Sequence, residues 1–280
     1  MSGTLYIVGT PIGNLGDFSQ RAKQVLESVD FIAAEDTRVT LKLLNKFKIK
    51  KPLISYHEHS KSQRLEQIVS KLLDGQSAAI VSDAGMPCIS DPGEKLVKMC
   101  VESNIEMTVV PGPTALISAL CLSGLETFRF AFYGFLSTNR KSRLKTLLEL
   151  QNLQLTLIFY EAPHKLISTL KDLLNVLGDR KIAIVKELTK IHENVQRKTI
   201  SSAIDFFEKS PTNPRGEYVL IVEGAQTAED SKASLALDEA ADLARTLVKQ
   251  GLRPVDAAKQ VAKITNNKKR QIYNLLLNEK

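Results

Sequence analysis

The sequence has few cysteines, and their spacing fits neither a disulfide framework nor a zinc site. Its 280 residues include three cysteines, Cys88, Cys100 and Cys121, with no CxxC pair among them. An odd count without paired spacing is typical of a reducing compartment. We therefore expect three small apolar core residues and a cytoplasmic location.

Metal-ligand and membrane patterns are also missing. His57-Glu58-His59 has no second group of ligands to complete a metal site, so we expect a surface loop there and no metal. The opening MSGTLYIVGTPIG lacks the basic segment of a secretory signal. Residues 107–125 carry no charge, but Pro111-Gly112-Pro113 interrupts them. We interpret this stretch as a buried strand, a turn and a helix, with no membrane contact.

Positive charge is present in excess, and it is concentrated at one end. The formal net charge is +7, and residues 245–280 account for all of it, since only Asp256 and Glu279 oppose nine basic side chains there. A charge excess confined to one module points to a polyanionic partner. We expect the segment to form a helix-turn-helix-like module whose Lys268, Lys269 and Arg270 bind RNA phosphates.

Residues 1–125 alternate apolar strands with amphipathic helices. The predicted strands are 5–9, 31–35, 52–56, 77–83 and 108–112, and the predicted helices are one opened by Ser19 and those over 38–47, 60–73, 94–103 and 114–123. Repeated units of this kind predict an α/β domain with a mostly parallel sheet covered by helices on both faces.

Residues 126–224 predict a second, mixed α+β domain. Its strands are expected at 128–135, 155–161, 181–188, 195–200 and 217–224, with antiparallel pairing among the last three. A basic helix carrying Arg140 and Lys141 lies between the first two strands. Residues 225–234 are polar and aperiodic, which predicts a linker, and 235–280 predict three helices in a small appendage.

Three loops rich in glycine and proline follow strands of the first domain. They are VGTPIGN (8–14), SDAGMPCISDPG (82–93) and PGPT (111–114). In an open α/β sheet, loops at the carboxyl ends of the strands form the ligand site. The first loop is not the dinucleotide-binding G-x-G-x-x-G, and alone it is explained equally well by a tight turn.

The second loop carries the strongest signal of the three. Asp83 could accept a hydrogen bond from a ribose hydroxyl or an ammonium group, and Gly85 and Gly93 would let a ligand approach the backbone. An Asx turn remains an alternative for either aspartate of the loop. In the third loop, Thr114 starts a helix whose amides could bind a carboxylate.

The order of the motifs resembles the tetrapyrrole-methylase fold family, and within it the branch that methylates ribosomal RNA. The resemblance covers residues 4–224 and rests on VGTPIGN, AAEDTR, VSDAGMPCISDPG, VVPGPTALISAL, FYGFL, LIFYEAPHKL, KELTK and RGEYVLIVEG. It implies an S-adenosylmethionine-dependent enzyme that 2′-O-methylates a cytidine in the decoding region of 16S rRNA within the small ribosomal subunit. It also implies a homodimer and a cofactor bound between the two domains.

Carried over by motif, the resemblance implies a set of cofactor-binding residues. They are Pro11, Asp83, Ala84, Gly85, Met86, Thr114, Ala115, Tyr160, Gly216 and Glu217. The first loop departs from the family's glycine-richer pattern at Thr10 and Ile12, which suits the rRNA branch better than the porphyrinoid one.

Methyl transfer to a ribose hydroxyl requires positioning and removal of a proton. Of the polar groups at strand ends, we favour Glu35, Arg38 and Glu187 as catalytic, with Arg38 placed to hold a phosphate. A helix cap or an ion pair at the domain interface is the alternative for each. Two other functions stay open: a porphyrinoid methylase of the same fold, and a non-enzymatic nucleic-acid binder.

Overall fold

A computed structural model describes residues 2–57, 62–209, 214–226, 237–265 and 267–277. Two compact units result, Met1–Gly224 and Ala225–Lys280. Most of the predicted linker, and Glu58 and His59, lie outside the described residues. In the described part of the chain, no helix is long and apolar enough to cross a membrane.

The first half of the larger unit is a five-stranded parallel sheet, as predicted. Its strand order is β3-β2-β4-β1-β5. The elements are β1 (Thr4–Val8), α1 (Gln20–Ser28), β2 (Phe31–Ala34), α2 (Thr37–Lys46), β3 (Leu53–Ser55), α3 (Ser62–Leu73), β4 (Ala78–Val81), α4 (Glu94–Glu102), β5 (Glu106–Val110) and α5 (Ala115–Ser123). Both β2 and β4 are buried along their whole length, which explains their uninterrupted apolar sequences.

Side-chain caps start two of these helices. The Ser19 side chain accepts a hydrogen bond from the Ala22 amide, and the Asp36 side chain accepts one from the Arg38 amide. Such caps satisfy amides that have no partner within the helix. Because all five strands are parallel, their carboxyl ends meet at one edge of the sheet, together with the loops that follow them.

The second half of the larger unit is a mixed sheet. Its elements are β6 (Phe130–Phe135), α6 (Arg140–Leu150), β7 (Thr156–Glu161), α7 (Leu166–Leu177), β8 (Lys181–Lys186), β9 (Asn194–Thr199), α8 (Ile200–Glu208) and β10 (Tyr218–Val222). The order is β6-β7-β10-β8-β9. β6 and β7 are parallel, and β10 pairs antiparallel with both β7 and β8. The predicted antiparallel pairing is confirmed, whereas α7 has no counterpart among the predicted elements.

Helix α5 closes the first half and packs on the second sheet. Ala119 and Leu120 lie in one cluster with Ile158, Ala183 and Ile221 of that sheet. Cys121 lies on the opposite face of the helix and is exposed, so the prediction of three core cysteines is wrong for this residue. Cys100 is in the core, and Cys88 is partly buried.

The smaller unit contains three helices: α9 (Leu237–Lys249), α10 (Pro254–Ile264) and α11 (Lys269–Leu277). Its core is made of small side chains, including Ala240, Ala244 and Ala258, with Ile272 from α11. Pro254 occupies the first turn of α10, where its missing N–H costs nothing. Lys268, Lys269 and Arg270 are exposed at the start of α11.

Candidate functional site

The three glycine-rich loops are joined at the carboxyl edge of the parallel sheet. Thr10 and Gly85 exchange two backbone hydrogen bonds, of 2.9 and 3.1 Å, which bind the first loop to the second. A Cβ on Gly9 would lie 2.7 Å from the Cα of Gly112, so the first and third loops meet backbone against backbone. Only glycine fits such an approach.

A cavity of about 410 Å³ opens beside these loops. Nine of the predicted site residues line it: Glu35, Asp83, Ala84, Gly85, Met86, Thr114, Ala115, Tyr160 and Glu217. The remaining wall consists of Ile12, Ile89, Ser90, Asp91, Leu116, Phe135, Glu161, Ala162, Pro163, Leu188 and Tyr218. Both halves of the larger unit contribute, and no basic side chain is among these lining residues.

Four predicted residues stand outside the wall. Ile12 lines the cavity in place of its neighbour Pro11, and Glu217 does so in place of Gly216. Gly216 has φ +87°, and a Cβ there would lie 2.6 Å from the Glu187 side chain. Arg38 and Glu187 are also not lining residues. Arg38 bonds Asp36, and Glu187 bonds Lys190 and the Glu217 amide.

Glu35 and Asp83 connect the ends of β2 and β4 reciprocally. The Asp83 amide donates to Glu35 Oε2 at 3.2 Å, and the Asp36 amide donates to Asp83 Oδ1 at 3.0 Å. Burial raises the pKa of Asp83, and the nearby Asp36 carboxylate raises it further, against a hydrogen bond from the Asp36 amide. The pair therefore sets the spacing of the two loops and presents negative charge to the cavity.

Asp91 is a site residue that no sequence prediction selected. Burial raises its pKa to about 7, and the charges of Glu35 and Asp83 add to the effect, while Ser82 opposes it through a hydrogen bond. The sequence signal is the second Asp-containing turn of SDAGMPCISDPG. The raised pKa of Asp91 depends on desolvation, which the tertiary structure determines and residue spacing does not reveal.

Arg38 extends from the first turn of α2 into solvent, with 87% of its side chain exposed. Its guanidinium bonds Asp36 Oδ2 at 2.6 Å. Hydrogen bonds from this guanidinium lower the pKa of Asp36 to about 2. Asp36 thus caps α2 and orients Arg38.

Glu187 holds the segment that carries Glu217 against the cavity. Its Oε1 accepts hydrogen bonds from Lys190 Nζ and the Glu217 amide, both at 2.9 Å. Lys190 also bonds Glu217 Oε2 at 2.9 Å. Burial alone would raise the pKa of Glu187, but these hydrogen bonds and the charge of Lys190 lower it overall. The geometry is that of an anchor for the Gly216–Glu217 turn.

Tyr160 joins the second sheet to the start of α5. Its hydroxyl accepts a hydrogen bond from the Leu116 amide at 3.2 Å, and burial raises its pKa. Glu161, the next residue, is buried and satisfied by the Ala162 amide at 2.8 Å, the Thr169 hydroxyl at 2.5 Å and Lys165 at 3.1 Å. Glu161 therefore shapes the wall without adding free charge.

The residues predicted to bind RNA lie in two places. Arg140 is 70% exposed and bonds Asp172 at 3.0 Å from α6 to α7, while Lys141 is exposed. Lys268, Lys269 and Arg270 lie on the smaller unit, described above. Among the described residues no three His, Cys, Asp or Glu side chains are arranged to hold a metal ion.

Comparison with known sequences places the chain in a family. The sequence profile described as Tetrapyrrole (Corrin/Porphyrin) Methylases matches residues 4–204. The chain belongs to the tetrapyrrole methylase family. It is a methyltransferase with that family's fold, a parallel sheet joined to a mixed sheet, followed by C-terminal helices.

Several relatives match over most of their length. The chain is 48% identical to the Ribosomal RNA small subunit methyltransferase I of Synechocystis sp., over 98% of both chains. It is 47% identical to the protein of that name from Thermotoga maritima, over 80% of this chain and 100% of the relative. The match to the Bacillus subtilis protein of the same name is 42%, over 97% and 93%.

Solved structures support the fold alone. The uroporphyrin-III-C-methyltransferase of Thermus thermophilus superimposes with a TM-score of 0.54 at 19% identity, over 79% of this chain and 94% of that one. The methyltransferase CobJ superimposes with a TM-score of 0.60 at 15% identity, over 80% and 95%.

Proposed function

We propose that this protein transfers a methyl group from S-adenosylmethionine to the 2′-hydroxyl of a cytidine in the decoding region of 16S rRNA, in the small ribosomal subunit. The observation that carries the proposal is the 48% identity, over nearly the whole chain, to a relative named for methylation of small-subunit rRNA. The geometry of the cavity supports the choice of methyl donor.

The cavity suits a small cationic ligand. Its volume of about 410 Å³ falls within the range of small-molecule sites, roughly 300–1,000 Å³. Glu35, Asp83 and Asp91 contribute carboxyl groups to a wall without lysine, arginine or histidine among its lining residues. S-adenosylmethionine carries a sulfonium and an ammonium group, and when bound it supplies a methyl group already activated for displacement.

Elements around the cavity hold its polar and apolar parts in place. The backbone of Ala84–Met86 and the first turn of α5 from Ala115 provide peptide groups, and Gly85, at φ +84°, lacks a side chain that would fill the space. Apolar residues such as Ile12 and Leu188 exclude water, which strengthens electrostatic attraction to a bound cation. Tyr160 holds the start of α5, and Glu187 holds the Gly216–Glu217 turn.

RNA is the acceptor that the charge distribution favours. A wall rich in carboxylates repels phosphates, so the backbone of an RNA must be held outside the cavity. Arg38 is exposed beside it, and the smaller unit carries Lys268, Lys269 and Arg270. Phosphate contacts of this kind position a nucleic acid without reading its sequence.

The alternative of a porphyrinoid methylase shares the fold, as the uroporphyrin-III-C-methyltransferase superposition illustrates. A basic module offers no advantage to an enzyme of small tetrapyrroles, and relatives above 40% identity are named for ribosomal RNA. A non-enzymatic RNA binder would have no use for the cavity. Both observations favour the RNA methyltransferase.

We further propose that the protein is a cytoplasmic homodimer. Exposed apolar side chains concentrate on the edge strands β5 and β6 and on α5, including Val109, Ile117, Leu122 and Phe130. A second copy covering these surfaces would remove them from water. Sedimentation equilibrium at micromolar protein should give twice the monomer mass of 31.0 kDa.

Transfer of labelled methyl groups tests the proposed function directly. Purified small ribosomal subunits lacking the modification and a porphyrinogen are offered separately with labelled S-adenosylmethionine. Label recovered as 2′-O-methylcytidine after nuclease digestion of the rRNA supports the proposal. Label in the porphyrinogen alone, or in neither while calorimetry shows bound S-adenosylmethionine, overturns it.

A further inference from the structure

A second cavity of about 310 Å³ adjoins the first. It is lined by Tyr56, Cys88, Ser90, Asp91, Pro92, Gly93, Glu94 and Lys95. Ser90 and Asp91 line both cavities, so they form a wall between the two. Asp91 therefore faces the space assigned to the methyl donor and, at the same time, a separate space of its own.

The shared wall is a strained part of the second loop. Cys88 and Ser90 have left-handed backbones, with φ of +74° and +61°. Gly93 has φ +139°, and a Cβ there would lie 2.4 Å from Cys88 Sγ. The Cys88 amide closes the turn by donating to the Pro92 carbonyl at 3.3 Å. Strain of this kind is maintained where the surrounding structure requires a particular backbone path.

The second cavity differs from the first in chemical character. Its lining includes Lys95 and Tyr56 beside the carboxylic acids Asp91 and Glu94, and its volume is near the lower limit of small-molecule sites. A cation at its margin can pair with a phosphate, which the carboxylates of the first cavity cannot do. The ribose of a single nucleotide suits this space, because its hydroxyls can donate hydrogen bonds to the carboxyl groups of Asp91 and Glu94 while its phosphate pairs with Lys95 at the margin.

Resting on the proposed function, we propose that the second cavity receives the ribose of the acceptor nucleotide and that Asp91 accepts the proton of its 2′-hydroxyl. The hydroxyl oxygen bonds to the methyl carbon while the carbon–sulfur bond breaks, and its electron pair stays on sulfur. The proton passes to the Asp91 carboxylate. The step thereby neutralises the negative charge of the Asp91 carboxylate and the positive charge of the sulfonium, and no other reactant is needed.

The surroundings of Asp91 suit this role. A general base is most effective when its pKa lies near the working pH, and the pKa of Asp91 is raised to about 7. The titratable or charged groups around it come from β2, β3, β7, α4 and its own loop: Glu35, Tyr56, Asp83, Cys88, Glu94, Lys95 and Tyr160. Among the neighbouring charges, Glu35 raises the pKa of Asp91 the most.

Kinetics of Asp91→Asn test the base. We expect kcat on small subunits at saturating S-adenosylmethionine to fall at least about 100-fold, a larger change than that in the dissociation constant for S-adenosylmethionine, to which Asp91 contributes one of the lining carboxyl groups. In the unchanged protein kcat should rise with pH and level off above about pH 7, and Glu35→Gln should move that rise to lower pH. The matched control Asp205→Asn, at an exposed position of α8, should change neither quantity.

Binding tests the second cavity without reference to turnover. Lys95→Glu should weaken binding of a short RNA oligonucleotide containing the target cytidine at least about tenfold, while S-adenosylmethionine binding stays unchanged. Carboxyl ¹³C NMR of the protein without ligand should show a resonance titrating near pH 7 that Asp91→Asn removes.

The outcomes separate the two proposals. If the unchanged protein methylates the rRNA and Asp91→Asn retains full kcat, Asp91 is not the base. Unchanged oligonucleotide binding in Lys95→Glu overturns the acceptor cavity. If the unchanged protein methylates no RNA, the proposed function fails and the acceptor assignment fails with it.

Discussion

Asp91 retains its proton to a higher pH than an exposed aspartate because it is partly desolvated beside Glu35 and Asp83. The charged form is thus less favourable in the folded than in the unfolded chain. Between about pH 4 and pH 7 the folded state binds more protons, so the free energy of unfolding falls as pH rises through this window.

Asp91→Asn should remove this loss of stability. The variant should be more stable than the starting protein at pH 8 by about 1–2 kcal/mol, after discounting the shift for solvent screening. Below about pH 4 the two proteins should converge. Urea unfolding at pH 4, 6 and 8 measures the difference, and a gap that stays constant with pH would contradict the assignment.

Glu187 acts at a distance from the cavity. Glu187→Ala removes the acceptor for Lys190 and for the Glu217 amide. We expect the affinity for S-adenosylmethionine to fall about fivefold, corresponding to roughly 1 kcal/mol for a lost hydrogen bond, with kcat at saturation little changed. Glu187→Gln keeps an oxygen at the position and should stay within about twofold. Titration calorimetry decides, and a large fall in kcat with unchanged affinity would favour a direct catalytic role.

For individual residues, the sequence predicted which loops line the cavity better than it predicted which side chains do. Asp83, Gly85 and Thr114 were predictable because each lies in a loop that follows a strand of a parallel sheet, where ligand sites form. Glu35 lies in the wall but Glu187 behind it, although both follow strands. Their positions depend on the path of the backbone after the strand, and Glu187 itself has φ +51°. The catalytic roles of Glu35, Arg38 and Glu187 stay predictions.

Helices α6 and α7 are joined by a buried ion pair. Arg143 and Asp172 are only 6% and 3% exposed and approach to 2.6 Å, while Arg140 bonds the same carboxylate from a 70% exposed position. Arg143 also donates to the Ser137 carbonyl at 3.0 Å, so it connects the β6–α6 loop as well.

Arg143→Ala should destabilise the protein by about 3 kcal/mol, because it leaves the Asp172 carboxylate buried with its main partner missing. Arg140→Ala should cost less than about 1 kcal/mol, as expected for an exposed pair. Chemical denaturation of both variants measures the contrast. Equal losses of stability would show that Arg140 supplies the charge that Asp172 needs, and this would weaken the prediction that Arg140 binds RNA.

Most elements of this fold could be predicted from periodicity, whereas their arrangement could not. The parallel sheet follows from alternating strands and helices, but the order β3-β2-β4-β1-β5 depends on pairings between segments distant in sequence. Helix α7 is missing from the prediction although LISTLKDLLNVL carries the signal of a helix, because its apolar residues Leu166, Leu170, Leu173 and Leu177 recur at helical spacing.

At the scale of the whole molecule, the cavities and the cluster of exposed cations belong to different compact units. The larger unit contains the cavities, and the smaller one carries the exposed cations at the start of α11. The Thermotoga maritima relative is matched over its full length by 80% of this chain, so about a fifth of this chain has no counterpart there.

Replacing Lys268, Lys269 and Arg270 together by glutamine should weaken binding to small subunits. The slope of log affinity against log salt should fall by about 2–3, one for each lost phosphate contact, while S-adenosylmethionine affinity stays unchanged. Removal of residues 234–280 should weaken binding to small subunits further and leave the affinity for S-adenosylmethionine unchanged. Filter binding at several salt concentrations is the measurement, and a parallel loss of S-adenosylmethionine binding would show that the module supports the larger unit instead.

The contact between Gly9 and Gly112 limits how such a protein can be altered by evolution or by protein engineering. A side chain at either glycine collides with peptide groups of the other loop, and these cannot move aside as a neighbouring side chain would. A chimera that imports the first loop from another methylase must import the third loop with it. Although the two loops are far apart in the sequence, they must therefore change together.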